Sequence, residues 1–196
     1  ALAIADFDGD GKVDVASPML RDGSVALLRG DGKGTLPCAA GDRTRVLDRP
    51  GYVANGDFDR DGDQDLVVAH DDSGVLAVLQ NDGKGAFAVA TVDTGAGRWG
   101  LAVADLDGDG ILDLAAAPQG GDAIALLRGD GKGSFAKWTE LRASPQSSYV
   151  ARSEIRHGFT DDALQLSFQI ESGTLEVFAA EQGRAYCWVR DVASWP

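Results

Sequence analysis

The sequence predicts an all-β protein assembled from four-stranded antiparallel units. Three observations lead there: one unit recurs along the chain, its apolar stretches are short, and glycine and aspartate clusters fall at fixed places between them. Residues 1–16 read ALAIADFDGDGKVDVA, residues 52–69 read YVANGDFDRDGDQDLVVA and residues 101–117 read LAVADLDGDGILDLAAA. Each is followed by a second shared block: VALLRGDGKGTL from Val25, LAVLQNDGKGAF from Leu76 and IALLRGDGKGSF from Ile124. The lead aspartates Asp6, Asp57 and Asp105 lie 51 and 48 residues apart, and Asp31, Asp82 and Asp130 repeat those spacings.

Within a unit, runs rich in Val, Ala, Leu and Ile favour strands, and no helical period is sustained. Val25–Leu28 and Leu114–Ala117 are continuously apolar rather than alternating, as strands covered on both faces are. About four strands fit a unit of this length, the size of a propeller blade. A worn fourth copy fills the rest: Tyr149-Val150-Ala151 echoes Tyr52-Val53-Ala54, Glu154 follows Asp105 by 49 residues, and GTLEVFAAEQG from Gly173 stands where the second block belongs. The chain therefore reads as one β-propeller domain, three clear repeats plus one degenerate repeat, with units at about 1–51, 52–99, 100–148 and 149–196. It is a portion of a propeller or a small four-bladed ring.

The pattern D-x-D-G-D-G-x-x-D inside such a repeat resembles the FG-GAP/VCBS family, the blades of propellers like those of integrin α-subunits. The resemblance covers positions 1 to about 142 well and the remainder weakly. It implies four-stranded blades carrying calcium in a hairpin loop, and an extracellular, secreted or cell-surface role in adhesion, in glycan or protein binding, or as an accessory domain of a secreted polysaccharide-processing enzyme.

The loop chemistry supports calcium independently. Carboxylates at positions 1, 3, 5 and 9, a carbonyl at 7 and glycine at 6 can wrap one hard cation, because alternate residues point inward and glycine permits the turn. The first loop offers Asp6, Asp8, Asp10 and Asp14 with the Lys12 carbonyl. The second offers Asp57, Asp59, Asp61 and Asp65 with the Asp63 carbonyl; the third offers Asp105, Asp107, Asp109 and Asp113 with the Ile111 carbonyl. Setting these twelve carboxylates aside leaves 19 acids against 18 bases, so nearly all of the −13 net charge sits in three loops. Three bound Ca²⁺ would bring it to −7, which couples metal to folding. An EF-hand needs an acid at position 12, where Ser17, Val68 and Ala116 stand. Asp/Gly turns also form without metal, for local hydrogen-bonding reasons; recurrence three times at one spacing favours ligands. In the fourth copy Arg156 and Gly158 fall at positions 3 and 5 between Glu154 and Asp162, so no calcium is expected there.

Other classes find little support. The negative charge would repel a phosphate backbone, so nucleic acid is not expected as a partner, and no apolar run approaches the roughly 20 residues of a spanning helix. The sequence begins at Ala1 without Met or an apolar leader, which reads as a leader removed or never part of this stretch. Cys38 and Cys187 make no disulfide framework and are expected to be free thiols. No nucleophile elbow or Cys/His pattern is present, so the chain is not expected to be an enzyme. The GDGKG segments lack phosphate-loop order and read as hairpin turns; the two Arg-Gly-Asp tripeptides within them are repeat punctuation, since Gln80-Asn81-Asp82 takes the same place. A ligand face is expected at the end of the blades away from the acidic loops. Tyr52, Arg98, Trp99 and Tyr149 would enter first strands there, with Arg21, Asp22, His70, Asp71 and Asp72 between second and third strands. Ordinary packing between units is the competing reading for those aromatics, and the preferred one for Trp138, Trp188 and Trp195.

Overall fold

The computed structural model describes residues 1–39, 41–71, 73–94, 100–117 and 123–142, together with the strands 156–160, 163–170, 173–180 and 184–190. All regular structure among them is β. Four four-stranded antiparallel sheets follow one another along the chain, each with its strands in sequence order. The first holds β1 (Ala3–Ala5), β2 (Asp14–Met19), β3 (Ser24–Leu28) and β4 (Arg43–Arg45). The second holds β5 (Pro50–Gly56), β6 (Asp65–His70), β7 (Val75–Asn81) and β8 (Phe87–Asp93), starting two residues ahead of the unit boundary placed at 52. The third holds β9 (Gly100–Ala104), β10 (Asp113–Ala117), β11 (Ala123–Gly129) and β12 (Phe135–Arg142). The fourth holds β13 (Arg156–Thr160), β14 (Ala163–Ile170), β15 (Gly173–Ala180) and β16 (Arg184–Arg190).

Two-sided burial explains the unbroken apolar strands. Along β6 and β7, Leu66, Val68, Ala77 and Leu79 pack with Ala3, Phe7, Ala16, Val25 and Leu27 of the first unit. Their neighbours Val67, Ala69, Leu76 and Val78 face the other way, packing with Leu114, Ala116, Ala125 and Leu127 of the third. Period-two alternation thus gives each sheet a forward and a backward apolar face. The third repeats the pattern, its Ala115, Ala117, Ile124 and Leu126 forming a separate buried cluster. First strands lie closest together, with β5 against both β1 and β2 and β9 against β5.

Aromatic pairs mark each seam. Phe7 meets Phe87 edge-on with ring centroids 6.2 Å apart, and Phe58 meets Phe135 the same way at 5.2 Å. The close approach also dictates glycine. A Cβ on Gly85 would lie 2.7 Å from Leu27, and one on Gly133 1.9 Å from Gln80, each in the preceding unit. Gly34, the same position in the first unit, would meet nothing within 4 Å. The backward face of the first sheet is correspondingly open: Ile4 is 59% exposed and Leu36, which stands where Phe87 and Phe135 stand later, is 42% exposed.

One sequence expectation is corrected. The stretch 154–162 was expected to be a nine-residue loop like the others, but Arg156, His157 and Gly158 lie in β13, paired with Ser167, Leu166 and Gln165 of β14. Only residues 161–162 separate those strands, so Arg156 and Gly158 are ladder residues rather than loop positions. Tyr149-Val150-Ala151, Glu154 and Asp162 lie outside the described residues.

The seam energetics are testable. Phe58→Ala removes a ring buried between the second and third units and should cost about 3–5 kcal/mol, while Ile4→Ala on the open face should change stability by less than about 1 kcal/mol. Urea unfolding measures both; equal losses would contradict the packing described.

Candidate metal centres

Each β1–β2 and β5–β6 connection, and the β9–β10 connection, is one of the acidic loops, and two left-handed residues wind it. Positions 4 and 6 take positive φ: Gly9 at 72° and Gly11 at 81°, Gly108 and Gly110 at 79° each. Gly11 has open space around a hypothetical Cβ, so backbone conformation rather than crowding selects glycine there. In the second loop Arg60 adopts φ 65° where the others have glycine, followed by Gly62 at 98°.

That winding turns alternate aspartates inward. Asp8 Oδ1 accepts from Asp10 N (3.2 Å) and Asp10 Oδ1 from Lys12 N (2.9 Å). The same steps recur at Asp59 and Asp61, and at Asp107 and Asp109. Local Asx bonding of this kind fixes each carboxylate against its own loop. Asp6, Asp8 and Asp10 bring oxygens within 4.8 Å of one another, as do Asp57, Asp59 and Asp61, and Asp105, Asp107 and Asp113. These clusters can hold metal ions, and their donors are hard oxygens only.

Position 9 has a further task that the sequence did not disclose. Asp14, Asp65 and Asp113 are fully buried. Asp14 accepts from Phe7 N (2.9 Å) and Gly30 N (2.7 Å); Asp65 accepts from Phe58 N (2.9 Å) and Asn81 N (2.8 Å). Asp113 accepts from Leu106 N and Gly129 N, both at 2.9 Å. One carboxylate therefore clasps the loop's start to the end of the third strand. Only in the third loop does position 9 fall inside the close oxygen cluster, where Asp109 does not.

At position 1, Asp6 has one oxygen on Gly9 N and the other on Gly11 N, both at 2.8 Å, and Asp105 repeats this with Gly108 and Gly110. Asp57 departs from that arrangement. Its Oδ2 accepts from Gly62 N at 3.1 Å, while Oδ1 is buried with no hydrogen-bond partner. An orphaned buried carboxylate oxygen beside two other carboxylates is what a cation would satisfy, so the second loop fits a divalent ion.

Burial and like-charge repulsion set the acidities. Burial pushes Asp65 up to about 6 against its two backbone hydrogen bonds, with Asp59 and Asp61 adding to the rise. Burial also raises Asp113 and Asp59, the latter helped by repulsion from Asp61. In the first loop, the Lys12 ammonium holds Asp10 below the usual carboxylate range.

A residue at the end of the third strand touches position 3, and sequence reading missed it. Arg29 bonds Asp8 Oδ2 (2.6 Å), Gln80 bonds Asp59 Oδ2 (3.3 Å), and Arg128 pairs with Asp107. Each lies 21 residues after its aspartate, a fixed offset that could have disclosed the pairing. Arg29 also reaches Asp42 and the Lys84 carbonyl, so the first Arg-Gly-Asp tripeptide is held internally. The GDGKG segments form turns: Asp31, Asp82 and Asp130 each accept from the amides two and four residues on.

The expected ligand face fares differently. Tyr52 is partly buried and packs against the second core cluster. His70 is corrected outright: it is fully buried, with Nδ1 on the Val75 carbonyl, and burial lowers its pKa. Asp22 pairs with Arg43, and Asp71 with Arg49. Arg98, Trp99, Tyr149 and Asp72 lie outside the described residues. Trp138, expected to pack inside, is 40% exposed with the Arg128 guanidinium 5.8 Å above its ring. Cys38 is an exposed free thiol. Among the described residues no helix is long and apolar enough to cross a membrane.

A family model described as "FG-GAP-like repeat" matches residues 57–116 and 105–153. No curated protein matches the sequence. Among solved structures, the fold is similar to that of a lectin from Agrocybe aegerita described as specifically recognising non-reducing terminal N-acetylglucosamine, with TM-score 0.62 at 20% identity. That match covers 98% of this chain and 52% of the lectin, so the chain spans about half its length. A protein from Lactobacillus plantarum is also similar, with TM-score 0.52 at 17% identity over 95% of this chain and 69% of the other.

The buried clasp gives a pH signature. Asp65's raised pKa means that, without metal, the folded state keeps a proton the unfolded chain releases at its ordinary 3.8; this contribution to stability is whole below 3.8 and is lost as pH rises through about 6. A carboxyl-carbon NMR titration of the metal-free protein should place Asp65 near 6, and a midpoint below 4 would contradict its burial.

Proposed function

We propose that this chain, a run of FG-GAP-like repeats, is a calcium-stabilised portion of a β-propeller that serves as an extracellular binding or adhesion module and not as an enzyme. The observation that carries the calcium reading is the convergence of alternate carboxylates in three equivalent loops, one of which leaves Asp57 Oδ1 buried and unbonded. Asp6, Asp8 and Asp10 in the first loop, Asp57, Asp59 and Asp61 in the second, and Asp105, Asp107 and Asp113 in the third would hold the ions. The remaining position 5 and 9 aspartates and the carbonyls of Lys12, Asp63 and Ile111 complete the sets. Bound calcium supplies the positive charge that lets the clustered carboxylates stay ionised. An all-protein oxygen cage suits calcium better than magnesium, which demands stricter geometry and retains water.

The propeller reading rests on forward and backward faces that repeat from sheet to sheet, with the first strands closest together. The open backward face around Ile4 and Leu36 is then a seam with room for one more blade. Antiparallel order puts the acidic loops and the GDGKG turns at one end. The other end, where second strands turn into third strands, is free to carry ligand.

A glycan is the ligand class the fold neighbour favours, because the Agrocybe aegerita lectin of similar fold recognises a terminal sugar. An accessory, non-catalytic domain of a secreted polysaccharide-processing enzyme would present the same surface.

Chelation tests the calcium reading: stripping the protein should lower its melting temperature and adding Ca²⁺ should restore it, with three ions per chain by elemental analysis and two in Asp59→Ala. A melting curve indifferent to both treatments would refute it. For the ligand, the calcium-loaded chain should bind a restricted set of sugars on a glycan array; binding to none, alongside capture of a protein ligand, would move the module to adhesion.

A further inference from the structure

We propose that the three acidic loops are unequal calcium sites and that the loop at 57–65 fills first, because the residue at the end of each unit's third strand sets the charge beside the third ligand position. This rests on the calcium reading above. The three loops share one backbone plan, so what distinguishes them is the side chains placed against their carboxylates.

In the first unit that place is taken by a cation, Arg29, whose Nη1 lies 2.6 Å from Asp8 Oδ2. In the third it is Arg128, paired with Asp107 and 3.6 Å from Asp109 Oδ2. In the second it is neutral Gln80, 3.3 Å from Asp59 Oδ2. A guanidinium on a ligand carboxylate withdraws electron density from it and repels an incoming divalent ion; an amide orients the same oxygen without either effect. The first loop carries a second cation, Lys12, with Nζ 2.6 Å from Asp10 Oδ2. Arg29 shares its charge with Asp42, which tempers its effect, and Lys12 adds to it. Among the described residues no Lys or Arg pairs with Asp57, Asp59 or Asp61.

Two further differences point the same way. The second loop has an additional acid, Asp63, at position 7, where the others have Lys12 and Ile111. It also holds Asp57 Oδ1 without a partner, whereas the position 1 aspartates of the other loops have both oxygens bonded to loop amides that a metal must compete with. Arg60 occupies position 4, where the other loops have the glycine whose amide bonds that oxygen. Its own side chain extends toward the third unit, with Nη2 3.9 Å from a Cβ built on Gly110. Calcium affinity in oxygen-ligand loops follows ligand charge, so the most anionic and least self-bonded loop binds tightest.

The same third-strand residues reach the next unit. Gln80 donates to the Lys132 carbonyl at 3.1 Å and Arg29 to the Lys84 carbonyl at 3.2 Å. Gln80→Arg therefore copies an arrangement that the first unit already accommodates, and the variant is expected to fold.

Isothermal calorimetry of the whole chain with CaCl₂ is the test. The wild type should show one tight equivalent followed by two weaker ones, and Asp59→Ala should delete the tight phase alone. Gln80→Arg should weaken that phase roughly tenfold, and Arg128→Gln should tighten one weak site by a similar factor. Three equal sites, a tight phase that survives Asp59→Ala, or affinities unmoved by both charge exchanges would overturn the ordering while leaving calcium binding intact. No bound ion in any variant would remove the calcium reading and the ordering with it.

Discussion

Everything in the repeat hangs on a carboxylate buried at the ninth loop position. Asp14, Asp65 and Asp113 each join two backbone amides from segments 23 residues apart in the chain, Phe7 and Gly30 in the first unit, Phe58 and Asn81 in the second, Leu106 and Gly129 in the third. Those amides lie at a loop start and a strand end, where no ladder partner is on hand. A neutral side chain of the same size could accept at only one end. The carboxylate accepts at both, and because it is anionic each bond is stronger than an amide–amide contact. The cost is a negative charge in the interior, close to two or three others.

The other loop carboxylates add to that cost by like-charge repulsion. The raised pKa of Asp65 and the repulsion that Asp61 exerts on Asp59 are the electrostatic strain of a site built around anions. Lys12 and the two arginines relieve part of it in the first and third loops. The second loop has no such relief, only the amide of Gln80. Metal-free folding is therefore least favourable in the unit that sits in the middle, packed on both sides, where loss of order would disturb two seams.

The chain announced its architecture through spacing. The 51- and 48-residue offsets, the continuous apolar runs and the alternating aspartates are all local or periodic, so they survive in a one-dimensional reading. What escaped notice depends on contacts across sequence. Position 9 reads as a ligand alone until Gly30 and Asn81 are seen arriving from the third strand, which gives it a second task. Arg29 reads as repeat punctuation until its guanidinium is found on Asp8 and Asp42. His70 is expected from the sequence between the second and third strands, yet it ends β6, whose six residues are all buried. In the fourth unit, counting from Asp105 puts Arg156 and Gly158 after the first strand, and it fails because β13 runs to Thr160 and includes both.

The link between loop and seam runs through single side chains. Gln80 holds Asp59 with the same amide nitrogen that donates to Lys132 of the next unit, and Arg29 does likewise with Asp8 and Lys84. A shift of the position 3 carboxylate toward an ion thus moves a group that also fixes the neighbouring turn. Glycine at 85 and 133 leaves those side chains their space, and Phe87 and Phe135 seal the contact a few ångströms away. Among the described residues the first unit shows no such contact across its backward face, where Leu36 is 42% exposed and a Cβ on Gly34 would meet nothing within 4 Å.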